Sequence, residues 1–160
     1  MSLQNLIEQG VVNKFTGASL KQVVKRLNLA HSYLNTAKTM LKAKGKKDQN
    51  HNVIVYTNIY DSVRMACEAF LLFKNCKAVV ANHHKMVIAA TKDLFGNTGL
   101  DNIFIRLDKM RTSRNDIDYG VDIRDLSDQA VLQAFKDANT IFKEIELQIE
   151  KKNPQIKIKF

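Results

Sequence analysis

Apolar residues recur at intervals of three and four along most of this chain, the spacing that places them on one face of an α-helix. Five segments carry the pattern strongly enough to predict main helices. They span residues 19–43, 53–73, 78–95, 100–119 and 127–150. The chain has only six glycines and one proline to interrupt helices. The sequence therefore predicts an all-α fold with about five main helices and almost no strand.

The two ends of the chain are less regular than its central part. Residues 2–15 have a loose apolar side that predicts a short helix, although glycines weaken it. The tail at 153–160 alternates apolar and basic residues, so it either pairs as an edge strand or stays disordered. We expect a single domain over 1–160, with its core at about 19–150.

The segment 53–73 is apolar nearly all round, which is typical of a helix in the middle of a bundle or in an oligomer interface. Because one bundle of this length does not readily cover so much apolar surface, the segment predicts a homodimer. Its charged residues Asp61, Arg64 and Glu68 fall on one line along the helix. They either form a strip that faces solvent or meet the charges around Arg114.

An arginine interrupts the apolar stripe of segment 100–119. Arg114 stands where the fifth apolar residue is expected, and a guanidinium is costly to bury without a partner. Asp118 follows one helical turn later, and Arg111 precedes by about one turn. The stretch is either a helix end with a salt bridge or a polar site set into the side of a bundle.

Composition and charge restrict the class of partner. A chain of 160 residues with a formal net charge of +9 is long enough for one full core and is strongly basic. Such a surface attracts phosphate-rich partners, acidic proteins or membrane surfaces without selecting among them. The two cysteines, Cys67 and Cys76, lie in apolar helical stretches, which is typical of buried thiols in a reducing compartment.

The sequence predicts no signal peptide, membrane span or metal site. Its first residues lack a charged region followed by an apolar run, and charges interrupt the apolar residues at 54–73. The adjacent His83 and His84 point in different directions on a helix, with no further ligand at metal spacing. We therefore expect a cytoplasmic protein that uses neither a metal nor another cofactor.

Three segments resemble parts of HEPN domains. The segment 56–72 is similar to the second core helix of that family, with tyrosines at its start and Ala-Phe-Leu-Leu at its end. The segment 80–95, with a histidine near its start, looks like the third helix. Residues 110–120 resemble the family's Arg-x-x-Arg-x-x-x-Asp-Tyr-Gly variant at the end of the fourth helix. The resemblance covers about residues 19–150.

This resemblance implies an antiparallel helical bundle, commonly a homodimer, whose polar motif faces a cleft. Many members of the family are metal-independent endoribonucleases of toxin–antitoxin, abortive-infection or related defence systems. Others bind nucleotides or partner proteins, and some work with a nucleotidyltransferase.

The motif of the ribonucleases begins with Arg and a polar residue and ends with His. In this chain the end of the motif departs from that pattern. Arg114 and Asn115 match its opening, whereas Tyr119 stands at the position of the histidine. A tyrosine hydroxyl, with an ordinary pKa of about 10, is a poor general base near neutral pH. Ribonuclease activity by the usual route is therefore in doubt.

Three functions remain open at this point. The first is a module that binds a nucleotide or RNA phosphate through guanidinium forks and works with a protein partner such as a nucleotidyltransferase. The second is an endoribonuclease in which Arg114 stabilises the pentavalent phosphate while Tyr119, or a histidine such as His83, moves the proton. The third is a non-catalytic bundle in which Arg114 pairs with Asp118 and function lies in protein contacts. The candidate binding residues are Arg111, Arg114, Asn115, Asp118, Tyr119 and His83.

Overall fold

The computed structural model describes residues 2–43, 49–79, 83–96, 98–118 and 126–154. Within these ranges, the description leaves out the side chains of Gln49, Asn115, Ile117 and Asp118.

Six helices and two short strands make up the described part of the chain. The helices are α1 (Leu3–Glu8), α2 (Leu20–Lys42), α3 (Gln49–Phe73), α4 (His83–Phe95), α5 (Asp101–Asp118) and α6 (Asp128–Lys152). The strands are β1 (Val12–Lys14) and β2 (Cys76–Ala78). Because α1 has only 6 residues and the other helices are longer, the prediction of an all-α fold with about five main helices is confirmed.

Local capping explains where two of the long helices begin. Ser19 accepts a hydrogen bond from the Gln22 backbone N–H at 3.2 Å, and the Gln22 side chain accepts the Ser19 N–H at 2.8 Å. This reciprocal pair is the capping box that the sequence predicts. Ser127 caps α6 in the same way, because its hydroxyl accepts the Ala130 N–H at 3.2 Å.

The core is organised around α3, which packs against α2, α4, α5, α6 and β2. The predicted apolar stripes of α2 and α6 face this helix. Their buried members are Val23, Leu27, Ala30, Leu34 and Ala37 on α2, and Val131, Ala138, Phe142, Ile145 and Ile149 on α6.

The surroundings of α3 bear on the prediction of a homodimer. Most of its apolar residues are buried within one chain, and only Ile54, 50% exposed, is a large exposed apolar side chain on this helix. The bundle therefore covers the surface on which that prediction rested. The homodimer stays a prediction, and α3 gives no support for it.

A small antiparallel sheet corrects the sequence prediction at two places. Val12 pairs with Ala78 and Lys14 pairs with Cys76. Val12 and Lys14 lie in the segment predicted as a short helix, Ala78 is the predicted start of another helix, and Cys76 lies in a strand and not in the helical stretch expected for it. The chain turns before each strand at a residue with positive φ, Gly10 at 68° and Asn75 at 58°. The predictions of a helix over 2–15 and of a helix starting at Ala78 are therefore wrong at the strands. The tail after Pro154 lies outside the described residues.

None of the helices in the described ranges is long and apolar enough to cross a membrane.

Candidate functional site

The charged line of α3 is the framework of the candidate site. Arg64 Nε lies 3.5 Å from Asp61 Oδ1, and Arg64 Nη1 also contacts Glu68 Oε1. Their spacing of three and four residues puts all of these side chains on one side of the helix. Since the other sides of α3 are apolar and buried, this line is where the helix presents charge.

Glu68 is the most enclosed member of the line, with 5% of its side chain exposed. Arg26 on α2 donates to its Oε2 from Nε at 2.9 Å, and His83 Nε2 at the start of α4 lies 2.8 Å from its Oε1. An ionised carboxylate only accepts hydrogen bonds, so the Nε2 of His83 carries the proton of this contact. Together with Arg64, three elements of the bundle meet at this one carboxylate.

The charge on Glu68 is held strongly in the folded protein. Burial alone would raise the pKa of this carboxyl group, but the hydrogen bond from His83 and the charges of Arg64 and Arg26 lower it to about 2. Glu68 is therefore ionised at any pH near neutral. Its carboxylate holds α2, α3 and α4 together.

This lowered pKa predicts a loss of stability in acid. A carboxyl group with a lowered folded-state pKa stabilises the fold above its unfolded value of about 4.5, and that contribution disappears as pH falls towards about 2. A shift of this size corresponds to roughly 3 kcal/mol. We expect urea titrations between pH 5 and pH 2 to show the difference in unfolding free energy between wild type and Glu68→Gln shrinking as pH falls. A constant difference across this range would contradict the assigned role, because the other carboxyl groups titrate in both proteins.

Asp61 extends the cluster to α5. Arg114 Nε lies 3.5 Å from Asp61 Oδ1, the same oxygen that faces Arg64. Of the two interpretations of the α3 charges, the one in which they meet Arg114 is therefore confirmed. Asp118, the alternative partner of Arg114, has no described side chain, so that pairing stays a prediction.

Two tyrosines of α3 lie beneath this cluster. The Tyr56 hydroxyl is hydrogen-bonded to Ser113 on α5. The Tyr60 hydroxyl is buried and has no hydrogen-bond partner among the described residues. Burial raises the pKa of Tyr60, while the charges of Arg64, Arg111 and Arg114 act in the opposite direction. Tyr60 therefore keeps its proton and is a hydrogen-bond donor within the electrostatic influence of three guanidinium groups.

We call Tyr60, Arg64, Arg111 and Arg114 the arginine site. Arg111 Nε donates to Asp108 Oδ1 at 2.8 Å, so this side chain is held by its own helix. Counting Arg26 as well, four arginines of the described part of the chain face the three carboxylates of Asp61, Glu68 and Asp108. Among these contacting side chains, the positive charges outnumber the negative ones by one.

His84 is a part of the site that sequence reasoning missed. Its ring centroid lies 6.1 Å from that of Tyr60. Burial lowers the pKa of His84, and the charges of Arg64, Arg114 and His83 lower it further. The imidazole is therefore neutral near neutral pH and can accept a proton. In the sequence, His84 stands out only because it is adjacent to His83. Such a pair is a possible sign of a metal site, not of an anion site.

The structure brings some of the sequence-predicted residues together. Arg111 and Arg114 share the arginine site, whereas His83 lies against Glu68. Asn115 and Asp118 belong to α5, but their side chains are outside the description, and Tyr119 lies outside the described residues altogether. Sequence analysis did not assign Tyr60 to the site, because its position matched a core residue.

Within the described ranges, no group of three His, Cys, Asp or Glu side chains is placed to hold a metal ion.

A scan against protein-family models, a search of curated proteins and a search of solved structures each found no match to this chain. The resemblance to HEPN domains therefore rests on the residues quoted for it, and membership of that family stays a prediction.

Proposed function

We propose that this protein is a phosphate-binding module that takes a nucleotide or RNA phosphate at the arginine site. Guanidinium groups offer two parallel donors to phosphate oxygens, and three of them converge on one region of α3 and α5.

The observation that carries the proposal is the Tyr60 hydroxyl. A buried donor without a partner costs about 1–3 kcal/mol, and native structures contain few of them. The charges of Arg64, Arg111 and Arg114 act on this hydroxyl together with the single opposing charge of Asp61, which favours an anionic acceptor. A phosphate oxygen satisfies both the hydroxyl and the guanidinium groups.

The ion pairs above Tyr60 are loose enough to admit a ligand. Both contacts of Asp61, to Arg64 and to Arg114, measure 3.5 Å, beyond the usual hydrogen-bond range of about 2.7–3.2 Å. The two arginine side chains are 18% and 22% exposed, so an anion reaches them from solvent. A phosphate that binds here replaces these long contacts with Asp61.

A groove between α4 and α5 supports RNA as the ligand. It encloses about 370 Å³ and is lined by Lys85, Lys92 and Lys109 and by Asp108, the partner of Arg111. Its apolar lining includes Ile105, which is 51% exposed. Lysines beside an apolar lining suit a polynucleotide, whose backbone is charged and whose bases have apolar faces.

The resemblance to HEPN domains extends this proposal to the biological setting. On this proposal the protein acts in a toxin–antitoxin or other defence-type system, as a homodimer with a protein partner such as a nucleotidyltransferase. The basic net charge of +9 suits either an RNA or an acidic partner.

A pair of tyrosine variants tests the proposal. Tyr60→Phe removes only the unpaired hydroxyl, so we expect unchanged or slightly higher stability and weaker binding of single-stranded RNA. Tyr56→Phe removes a hydroxyl that Ser113 already satisfies, so we expect about 1 kcal/mol lower stability and unchanged binding. Thermal melting and fluorescence anisotropy with a labelled oligonucleotide measure both properties. If Tyr60→Phe binds as wild type does, the hydroxyl is not part of a phosphate site.

A second candidate function is the endoribonuclease, and His84 is the observation that favours it. A neutral imidazole near the arginine site is available to take the proton of a ribose 2′-hydroxyl. The 2′-oxygen then attacks the adjacent phosphorus, the bond to the 5′-oxygen breaks as that oxygen takes a proton from the imidazolium or from water, and a 2′,3′-cyclic phosphate forms. The arginines stabilise the charge of the pentavalent phosphate.

Cleavage assays separate the two candidates. We expect the binding module to leave single-stranded RNA intact in the presence of a chelator. Cleavage that is absent with a DNA oligonucleotide and lost in His84→Gln would instead establish the ribonuclease.

A further inference from the structure

A pocket beside Arg26 shares no lining residue with the arginine site. It encloses about 410 Å³, which lies within the range of small-molecule pockets, about 300–1,000 Å³. Four segments line it: the connection before α2, then α2, α3 and β2. A pocket lined by four segments suits a compact ligand better than a long helix or strand.

The walls of this pocket are apolar and unusually exposed. Phe15 is 38% exposed and Leu29 is 49% exposed, and Met65 and Leu72 of α3 complete the apolar surface. Apolar side chains of this size are stabilised when a ligand removes them from water, by about 25 cal/mol per Å². The pocket therefore favours a ligand with an apolar body.

The edge of the same pocket is positively charged. Lys25, Arg26 and Lys77 line it, and none of the described residues that line it is a carboxylate. Lys77 Nζ lies 5.6 Å from the centre of the Phe15 ring, so one ammonium group is held directly beside the apolar wall. A ligand that fills the pocket places its polar end among these charges.

Arg26 joins the pocket to the Glu68 cluster, because it lines the pocket and also donates to Glu68. Arg64 and His83 also satisfy the charge of Glu68. Three partners thus offset the charge of this carboxylate, so the lysines that line the pocket set the sign of the potential that a ligand meets.

We propose that this pocket binds an amphipathic anion, a compact apolar chain or ring that carries one carboxylate or an equivalent anionic group. The apolar body lies between Phe15, Leu29 and the α3 side chains, and the anionic group contacts Lys25 and Lys77. This inference concerns residues other than those of the arginine site and is independent of the function proposed there.

Calorimetric titration of the whole chain with decanoate tests the proposal. We expect saturable binding, at least about tenfold tighter than that of butyrate, which lacks the apolar body, or of decyltrimethylammonium, which reverses the charge. Absence of saturation by decanoate, or equal binding of the three probes, overturns the proposal without any variant being made.

Matched variants then locate the site. Lys77→Glu and Leu29→Gln are each expected to weaken decanoate binding at least about tenfold. Lys143→Glu makes the same change of charge on α6, and Leu147→Gln alters a leucine that is 47% exposed elsewhere, so both are expected to bind as wild type does. Equal losses in the test and control variants would mean that decanoate binds the basic surface in general, which contradicts this pocket.

Discussion

Replacing Glu68 with glutamine is expected to lower the free energy of unfolding by about 3–5 kcal/mol, the usual cost of removing one partner from a buried ion pair. Glu68 is 5% exposed and receives Arg26, Arg64 and His83 from three helices. A neutral amide accepts these hydrogen bonds poorly, and it removes the closer of the two carboxylate contacts of Arg64, which is only 18% exposed and keeps Asp61 at 3.5 Å. The loss therefore combines weaker contacts at Glu68 with poorer compensation of the charge of Arg64.

Urea denaturation at neutral pH measures this effect, and an exposed ion pair supplies the control. Asp101 receives Lys92 at 2.8 Å, but both side chains are about half exposed. Asp101→Asn is expected to cost no more than about 1 kcal/mol. If Glu68→Gln costs no more than this control, Glu68 does not hold α2, α3 and α4 together.

The second large effect is expected at Arg114, in binding and not in stability. Arg114→Ala removes charge-assisted hydrogen bonds to phosphate, each worth about 1.5–3 kcal/mol, so RNA binding should weaken roughly ten- to 150-fold. Stability should change little, because the contact of Arg114 with Asp61 is long and Arg64 lies at the same distance, 3.5 Å, from this carboxylate. Anisotropy titrations at one fixed salt concentration, beside thermal melting, measure both quantities.

Two further arginine variants sharpen this prediction. Arg114→Lys keeps the charge but loses the planar fork, so we expect an RNA affinity between that of wild type and that of Arg114→Ala.

Arg106, also on α5, donates to the buried Asp137 at 2.6 and 2.8 Å. Arg106→Ala should therefore lower stability by leaving Asp137 uncompensated, while RNA binding changes little.

The structural interpretation of Arg114 makes the opposite prediction. Arg114 could instead serve only to hold a carboxylate, either that of Asp61 or that of Asp118. Its removal then leaves the carboxylate without this partner and lowers the free energy of unfolding by about 3–5 kcal/mol. A large loss of melting temperature with unchanged RNA binding would show that the site is structural.

The fold could be predicted wherever the signal is local. The capping box of Ser19 and Gln22 involves residues three positions apart, and the stripes of α2 and α6 repeat at helical spacing. The strands at 12–14 and 76–78 could not be predicted in this way. Each has only 3 residues, and they are stabilised by pairing across about sixty positions of sequence, which no short-range pattern records.

The site shows the same division between local and distant contacts. Asp61, Arg64 and Glu68 were recognisable as one line because they lie on one helix. Arg26 lies 42 positions from Glu68, and only the packing of α2 on α3 joins them. Tyr60 was assigned to the core because periodicity counts its ring as apolar and ignores its hydroxyl.

The most direct test of the central claim observes the arginine side chains themselves. The ¹H–¹⁵N resonances of arginine Nε–Hε groups report which guanidinium groups a single-stranded RNA oligonucleotide contacts. We predict that the signals of Arg64, Arg111 and Arg114 shift during the titration, while that of Arg106, held by Asp137, does not. Shifts confined to Arg106 or to arginines outside the arginine site, with Arg64 and Arg114 unmoved at saturation, would contradict the account.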